Sequence, residues 1–228
     1  MLTAIIVAGG SSRRMGFDKT FALLGGRPVV AHSIAAFEAA ECVAEIIVVG
    51  REDRLEELKA LVAEQQFQKV SRIISGGTLR QDSVRAGLDS LAQSCTHVAV
   101  HDAARPLVTA AQILHVFEAA KQHGAASLVA PVNDTLKRAD AEGFACESLD
   151  RERVYAMQTP QIFARELLLE AYDFVAARRL TITDEVSALQ HLGRKVLLVA
   201  ADDVNLKITF PADLALAELV QARRRAGD

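Results

Sequence analysis

Short apolar runs and amphipathic stretches alternate along this chain, with glycine pairs and polar turns between them. Ile5, Ile6 and Val7 form a β-branched run that stops at Gly9-Gly10, which predicts a buried strand delivering a loop to one edge of a sheet. Pro28 then opens a helix whose apolar stripe is Val29, Ile34 and Phe37. Further strands are predicted at 44–49, 71–75, 98–100, 126–132 and 195–200. Further helices are predicted at 53–65, after Gly76-Gly77, across Ile113, Val116, Phe117 and Ala120, at 164–177, and from Pro211 onward. This alternation predicts an α/β fold, a Rossmann-like and mostly parallel sheet with helices on both faces. In such sheets ligands bind beyond the carboxyl ends of the strands, where the loops at Gly9, Gly76 and Asp102 all fall.

Three segments depart from the simple alternation. Residues 133–154 are polar and turn-rich with short alternating pieces, which reads as a β-arm leaving the sheet with Gly143 near its tip. An excursion of that length is usually functional or intersubunit. In TITDEVSAL, Thr183 or Asp184 would cap a helix. In NLKIT, alternation puts Asn205, Lys207 and Thr209 on one face of a strand end.

Composition and charge narrow the function classes. The chain is 50% hydrophobic and 24% charged, enough for a sizeable core. A formal net charge of −3 argues against a broad nucleic-acid-binding surface and leaves room for a local cationic pocket. No charged leader precedes Ile5 and no apolar run approaches the ~18 residues of a membrane span, so a soluble, cytoplasmic protein without a membrane partner is expected. Cys42, Cys95 and Cys146 lack metal spacing and are expected to be reduced, mostly structural thiols, and His101, Cys42 and Cys95 lack partners at nucleophile spacing, so structural roles are expected for those three.

The candidate chemistry is cationic and acidic. The loop after Gly10 carries Arg14 and Lys19, a planar fork and a mobile point charge, beside glycines that admit a ligand to the backbone. It matches neither the P-loop nor the dinucleotide glycine pattern, yet it suits a polyphosphate. Asp102 ends a buried strand facing that loop and is placed to bind Mg²⁺ or a ribose hydroxyl, since Mg²⁺ takes one or two carboxylates plus phosphate oxygens. The plainer alternative is that Asp102 caps a turn or pairs with Arg105. Lys207, between Leu206 and Ile208, is a second cation that either meets an anion or snorkels along an edge. Thr135, Lys137, Arg151 and Thr183 form a further anion-capable group. With no activated nucleophile, this inventory matches phosphoryl or nucleotidyl transfer, where catalysis is alignment and charge neutralisation.

Taken in order, AGGSSRRMGFDK, GGTLRQDSV, HDAARP, APVNDTLKR, Asp150-Arg151, QTPQIF, TITDEVSAL and NLKIT closely resemble the 2-C-methyl-D-erythritol 4-phosphate cytidylyltransferase family over essentially the whole chain. The resemblance implies the nucleotide-diphospho-sugar transferase type of this fold, and cytidylyl transfer from CTP to methylerythritol phosphate with release of pyrophosphate. By motif match, Arg14 and Lys19 would hold the triphosphate. Ala8, Gly9, Gly77 and Ser83 would read cytosine, with Arg80 supporting that loop. Gly10, Asp102 and Ala103 would lie by the ribose, with Asp102 near Mg²⁺. Arg105, Thr159 and Lys207 would face the sugar phosphate, joined by Thr135, Arg151 and Thr183. The arm would reach into a neighbouring subunit, making a homodimer of a single domain over residues 1–228. A fused cyclase domain is not expected, as the chain ends after the last helix. The first motif is also similar to molybdenum-cofactor nucleotidyltransferases, and HDAARP, TITDEVSAL and NLKIT are shared with ribitol 5-phosphate cytidylyltransferases. A nucleotide-sensing module on the same fold is the non-enzyme alternative, and the joint presence of Arg14, Lys19, Asp102 and Lys207 speaks against it.

Overall fold

The computed structural model describes residues 1–10 and 16–227. Its elements run β1 (Leu2–Ala8), β2 (Leu23–Leu24), β3 (Arg27–Pro28), α1 (Val29–Ala39), β4 (Val43–Gly50), α2 (Leu55–Glu64), β5 (Val70–Ser75), α3 (Arg80–Asp89), β6 (His97–Asp102), α4 (Ala110–His123) and β7 (Ala125–Pro131). They continue with β8 (Leu136–Ala139), β9 (Ala145–Leu149), β10 (Tyr155–Ala164), α5 (Arg165–Ala177), α6 (Glu185–His191), β11 (Leu197–Ala200) and α7 (Pro211–Ala226). A 3-10 turn at Glu52–Arg54 precedes α2 and takes the first residues expected of that helix.

Seven strands form one sheet in the order β11-β7-β10-β6-β1-β4-β5. All run parallel except β10, which is antiparallel to both β6 and β7. The QTPQIF segment lies inside β10, a central strand of the sheet. Both faces are covered, as the apolar runs require. Ala4 and Ile6 of β1 pack with Ile34 and Phe37 of α1, Leu58 of α2 and Val116 of α4. Ile5 points the other way, into a core with Val84 of α3, Leu168 of α5 and Leu189 of α6.

A third, smaller core fixes the C-terminal segment. Leu24, Val29, Leu107, Ile208 and Ala217 are its buried members, so α7 is tied to the hairpin of β2 and β3. Here the structure corrects the strand expected at 205–209. Asn205 to Thr209 belongs to no sheet; the Ile208 N–H donates to the Ala104 carbonyl (2.8 Å), and the alternation reflects Ile208 entering this core. The arm is present as expected: β8 and β9 pair antiparallel, and Gly143 turns between them with φ +93°. The chain from β1 passes outward through β4 and β5, then returns to the other flank of β1 at β6. That reversal opens a crevice at the carboxyl ends of β1 and β6, the position where such sheets bind ligands.

Candidate active site

At this edge the chain leaves β1 at Ala8, β5 at Ser75 and β6 at Asp102. A cavity of about 330 Å³ lies there, lined by Ala8, Gly9, Gly10, Lys19, Gly77, Arg80, Ser83, Asp102, Ala103 and Lys207. Among the sequence-predicted nucleotide residues, every described one is on its wall. Arg14 lies outside the described residues. Gly76 and Gly77 are glycine because α3 comes close. A Cβ on Gly76 would collide with Ser83 Oγ, and one on Gly77 with Asp82 Cβ. Their absence lets the first turn of α3 close against the loop, with the Leu79 N–H donating to Asp82 Oδ2 at 2.9 Å.

A second cavity of about 230 Å³ adjoins the first and shares Arg80, Asp102 and Lys207 with it. Arg105, Thr159 and Thr183 line this side. The structure therefore brings together four of the residues expected around an acceptor phosphate, Lys207 included. Thr135 and Arg151 line neither cavity. They are exposed on the arm, where Arg151 Nη1 donates to the Asn133 carbonyl.

The charges at the shared wall are mutually bound. Lys207 Nζ donates to Asp102 Oδ2 at 2.5 Å, and Arg80 Nε donates to Asp102 Oδ1 at 3.0 Å. The simple pairing of Asp102 with Arg105 is thus replaced by two other cations. Burial pushes the Asp102 carboxyl up, but Arg80 and Lys207 outweigh it and hold the group well below the usual carboxylate range. Arg80 also forks onto Glu185, Nη1 to Oε1 at 2.7 Å and Nη2 to Oε2 at 2.9 Å. Glu185 is fully buried and takes a further bond from the Tyr172 hydroxyl (2.9 Å).

Behind this wall the packing is polar and closed. The Asp102 N–H donates to Thr159 Oγ1 (3.1 Å), leaving that hydroxyl's proton for His101 Nδ1 (3.0 Å). His101 Nε2 lies 3.2 Å from the Arg105 carbonyl, which can only accept, so the ring is the neutral Nε2–H tautomer. Burial lowers its pKa to about 3, with Asp102 opposing. Cys95 and Cys42 are buried or half-buried, consistent with structural thiols, whereas Cys146 is exposed on the arm. Arg105 donates to the Asn205 carbonyl (2.8 Å) and the Met157 carbonyl (3.1 Å), while its Nε is buried with no partner. The Arg105 guanidinium lines the second cavity, where a fixed planar cation is suited to an anion.

Sequence reasoning passed over Glu185, Tyr172 and Gln161. Asp184, not Thr183, caps α6, accepting from the Ser187 N–H at 2.9 Å. Gln161 Oε1 accepts from the N–H groups of Glu185 and Val186, both at 3.2 Å. An acid in the first helical turn is ordinarily solvent-facing, so nothing local marks Glu185 as buried; only the α5–α6 packing does.

No helix among the described residues is long and apolar enough to cross a membrane, and no cluster of three or more His, Cys, Asp or Glu that could hold a metal occurs among them. A Mg²⁺ ion brought in on phosphates still fits, because the shared wall presents one carboxylate and the phosphates would supply the remaining ligands.

Fold and edge together define an α/β nucleotidyltransferase. The family model for IspD, 2-C-methyl-D-erythritol 4-phosphate cytidylyltransferase, matches residues 2–223. The chain belongs to that family. It is 43% identical over 223 residues to the enzyme of that name from Dehalococcoides mccartyi strain CBDB1, covering 97% of this chain and 96% of the relative. Its structure is similar to the 4-diphosphocytidyl-2C-methyl-D-erythritol synthase of Anaerococcus prevotii, with TM-score 0.87, 28% identity, and 98% and 96% of the two chains covered. It is also similar to the 2-C-methyl-D-erythritol 4-phosphate cytidylyltransferase of Thermus thermophilus, with TM-score 0.80, 34% identity, and 96% and 98% covered.

Proposed function

We infer that this chain transfers the cytidylyl group of CTP to 2-C-methyl-D-erythritol 4-phosphate, a step of isoprenoid precursor synthesis carried out in the cytoplasm. An acceptor phosphate oxygen attacks the α-phosphorus in line; the bond from that phosphorus to the α,β-bridging oxygen breaks, and pyrophosphate leaves. The observation that carries this reading is the pair of adjoining cavities that share Arg80, Asp102 and Lys207, because a transfer between two bound phosphates needs both held against one charged wall.

In this reading Ala8, Gly9, Gly77 and Ser83 take the base, and Gly10, Asp102 and Ala103 take the ribose. Arg14 and Lys19 hold the triphosphate and balance the charge that grows at the α-phosphorus. Arg105, Thr183 and Lys207 bind the acceptor phosphate, with Thr159 shaping that cavity while its hydroxyl serves Asp102 and His101, and Thr135 and Arg151 from the arm of a second copy of the chain complete the set. Mg²⁺, held by Asp102, would supply charge neutralisation on the phosphates. Lys207 sits between the two cavities, able to pass from Asp102 to a phosphate oxygen as substrates arrive.

Pyrophosphate release, followed with CTP, Mg²⁺ and either methylerythritol phosphate or ribitol 5-phosphate, tests the reading. Turnover with the first acceptor at least ~100-fold above the second is the expected result. Turnover with ribitol phosphate alone, or CTP binding in calorimetry without turnover on any polyol phosphate, overturns it.

A further inference from the structure

The residue before Lys19 is tied into the fold on two sides. Asp18 has a side chain only 13% exposed, and its Oδ1 accepts the Thr20 N–H at 3.0 Å, closing a turn around the Lys19 backbone. Its Oδ2 faces Arg54 Nε at 3.5 Å and Arg51 Nη1 at 3.8 Å, both in the connection that follows β4. Arg54 also lies 5.5 Å from the Phe21 ring centroid, so one guanidinium borders both flanks of Lys19. Beyond it the chain is fastened to the start of α1, where the Val30 N–H donates to the Thr20 carbonyl (3.0 Å) and the Val29 N–H to the Ala22 carbonyl (2.9 Å). Lys19 itself reaches across to the Ile208 carbonyl, Nζ to O 3.1 Å, along the cavity wall.

We propose that Asp18 is a positioning residue for the transfer, fixing the backbone of Lys19 through the Thr20 bond and anchoring that turn to Arg51 and Arg54. This rests on the reading of Lys19 as a cation for the reacting phosphates. The two links differ in strength. The Thr20 bond is direct and short, while ion pairs at 3.5 and 3.8 Å to guanidinium groups about one-third exposed contribute little. Asparagine keeps the acceptor and loses the charge; alanine loses both.

The experiment is a double-mutant cycle in the full chain, measuring kcat and the KM for CTP. Asp18→Ala is expected to lower kcat by ~10-fold with KM for CTP unchanged within ~2-fold, and Asp18→Asn to stay within ~3-fold of wild type. In a Lys19→Ala background, Asp18→Ala should cost no further kcat. A full additional ~10-fold loss in that background, or an unaltered kcat in Asp18→Ala alone, overturns the positioning role while leaving Lys19 in place. A Lys19→Ala enzyme with near wild-type kcat overturns the reading of Lys19, and the role of Asp18 with it.

Discussion

At the sheet edge, Asp102 is gripped by Lys207 and Arg80, and Arg80 in turn forks onto Glu185 and through it to Tyr172. On the arm, Arg151 is exposed, donates to the Asn133 carbonyl at the arm's own base, and stands in a segment whose tip presents Phe144 at 73% exposure. The same side-chain types are thus used in two ways. The edge is organised within one chain before any ligand arrives, so the entropy of placing its charges is met on folding. The arm's charges pair locally, as Arg138 Nε does with Glu147 Oε2 at 2.8 Å, while Phe144 leaves apolar surface open. The described residues proposed for the nucleotide, and four of those proposed for the acceptor, thus stand on one rigid edge, whereas Thr135 and Arg151 of the arm line neither cavity.

The sharpest way to break the edge is from behind. Glu185→Gln keeps the shape but leaves Arg80 half-paired in a buried setting, which costs about 3 kcal/mol or more. For a chain of this size that is a fall of roughly 6–12 °C in Tm, read by thermal unfolding. CTP affinity should fall as well, because Arg80 borders the cavity. Next comes Lys19→Ala, which should lower kcat by ~100-fold or more, the range for removing one group that stabilises transition-state charge. Its Tm should stay close to wild type, separating the reacting face of the edge from its support.

The difference between edge and arm also decided what could be read from the sequence. Strands such as β1 and β4 were legible because burial on both faces forces continuous β-branched runs, and the carboxyl edge followed from topology alone. Gly77, Ser83, Asp102, Thr159 and Lys207 were found through motifs, and they line the two adjoining cavities. What stayed hidden depends on partners distant in sequence. The Arg80–Glu185 pair spans 105 residues, and β10 is a strand only through its antiparallel pairing with β6 and β7 on either side. Asn205 to Thr209 mimicked a strand because Leu206 and Ile208, two residues apart, both pack into the third core between polar neighbours.

The His101 cluster gives a milder test of the edge. Its pKa is lowered to about 3 in the folded protein, against about 6.5 in an unfolded chain. Between those values the unfolded chain takes up a proton that the folded one refuses. Stability is therefore complete above about pH 6.5 and is lost as the pH falls, by about 2 kcal/mol between pH 7 and pH 5. His32 and His97 are also lowered by burial and add to the slope, whereas Asp102 titrates far below this window. Comparing Tm at pH 7 and pH 5 should show a drop of roughly 4–8 °C from His101, absent from a His101→Asn variant.

The arm gives the smallest single effect and the most specific one. Arg151→Ala removes an exposed guanidinium, so Tm should not move; KM for methylerythritol phosphate should rise by ~10-fold while KM for CTP stays unchanged. If the arm serves a second copy related by a two-fold axis, the Arg151→Ala and Lys19→Ala chains should complement each other. A mixed dimer holds one doubly damaged site and one intact site, the latter built from the Lys19 of one chain and the Arg151 of the other. Random re-association makes half of the dimers mixed, so about one quarter of the sites, and about one quarter of wild-type activity at low acceptor concentration, should return. An exchanged mixture that gives only the average of the two parents would mean that Arg151 acts within its own chain, and that the arm folds back onto the edge instead of crossing to a neighbour.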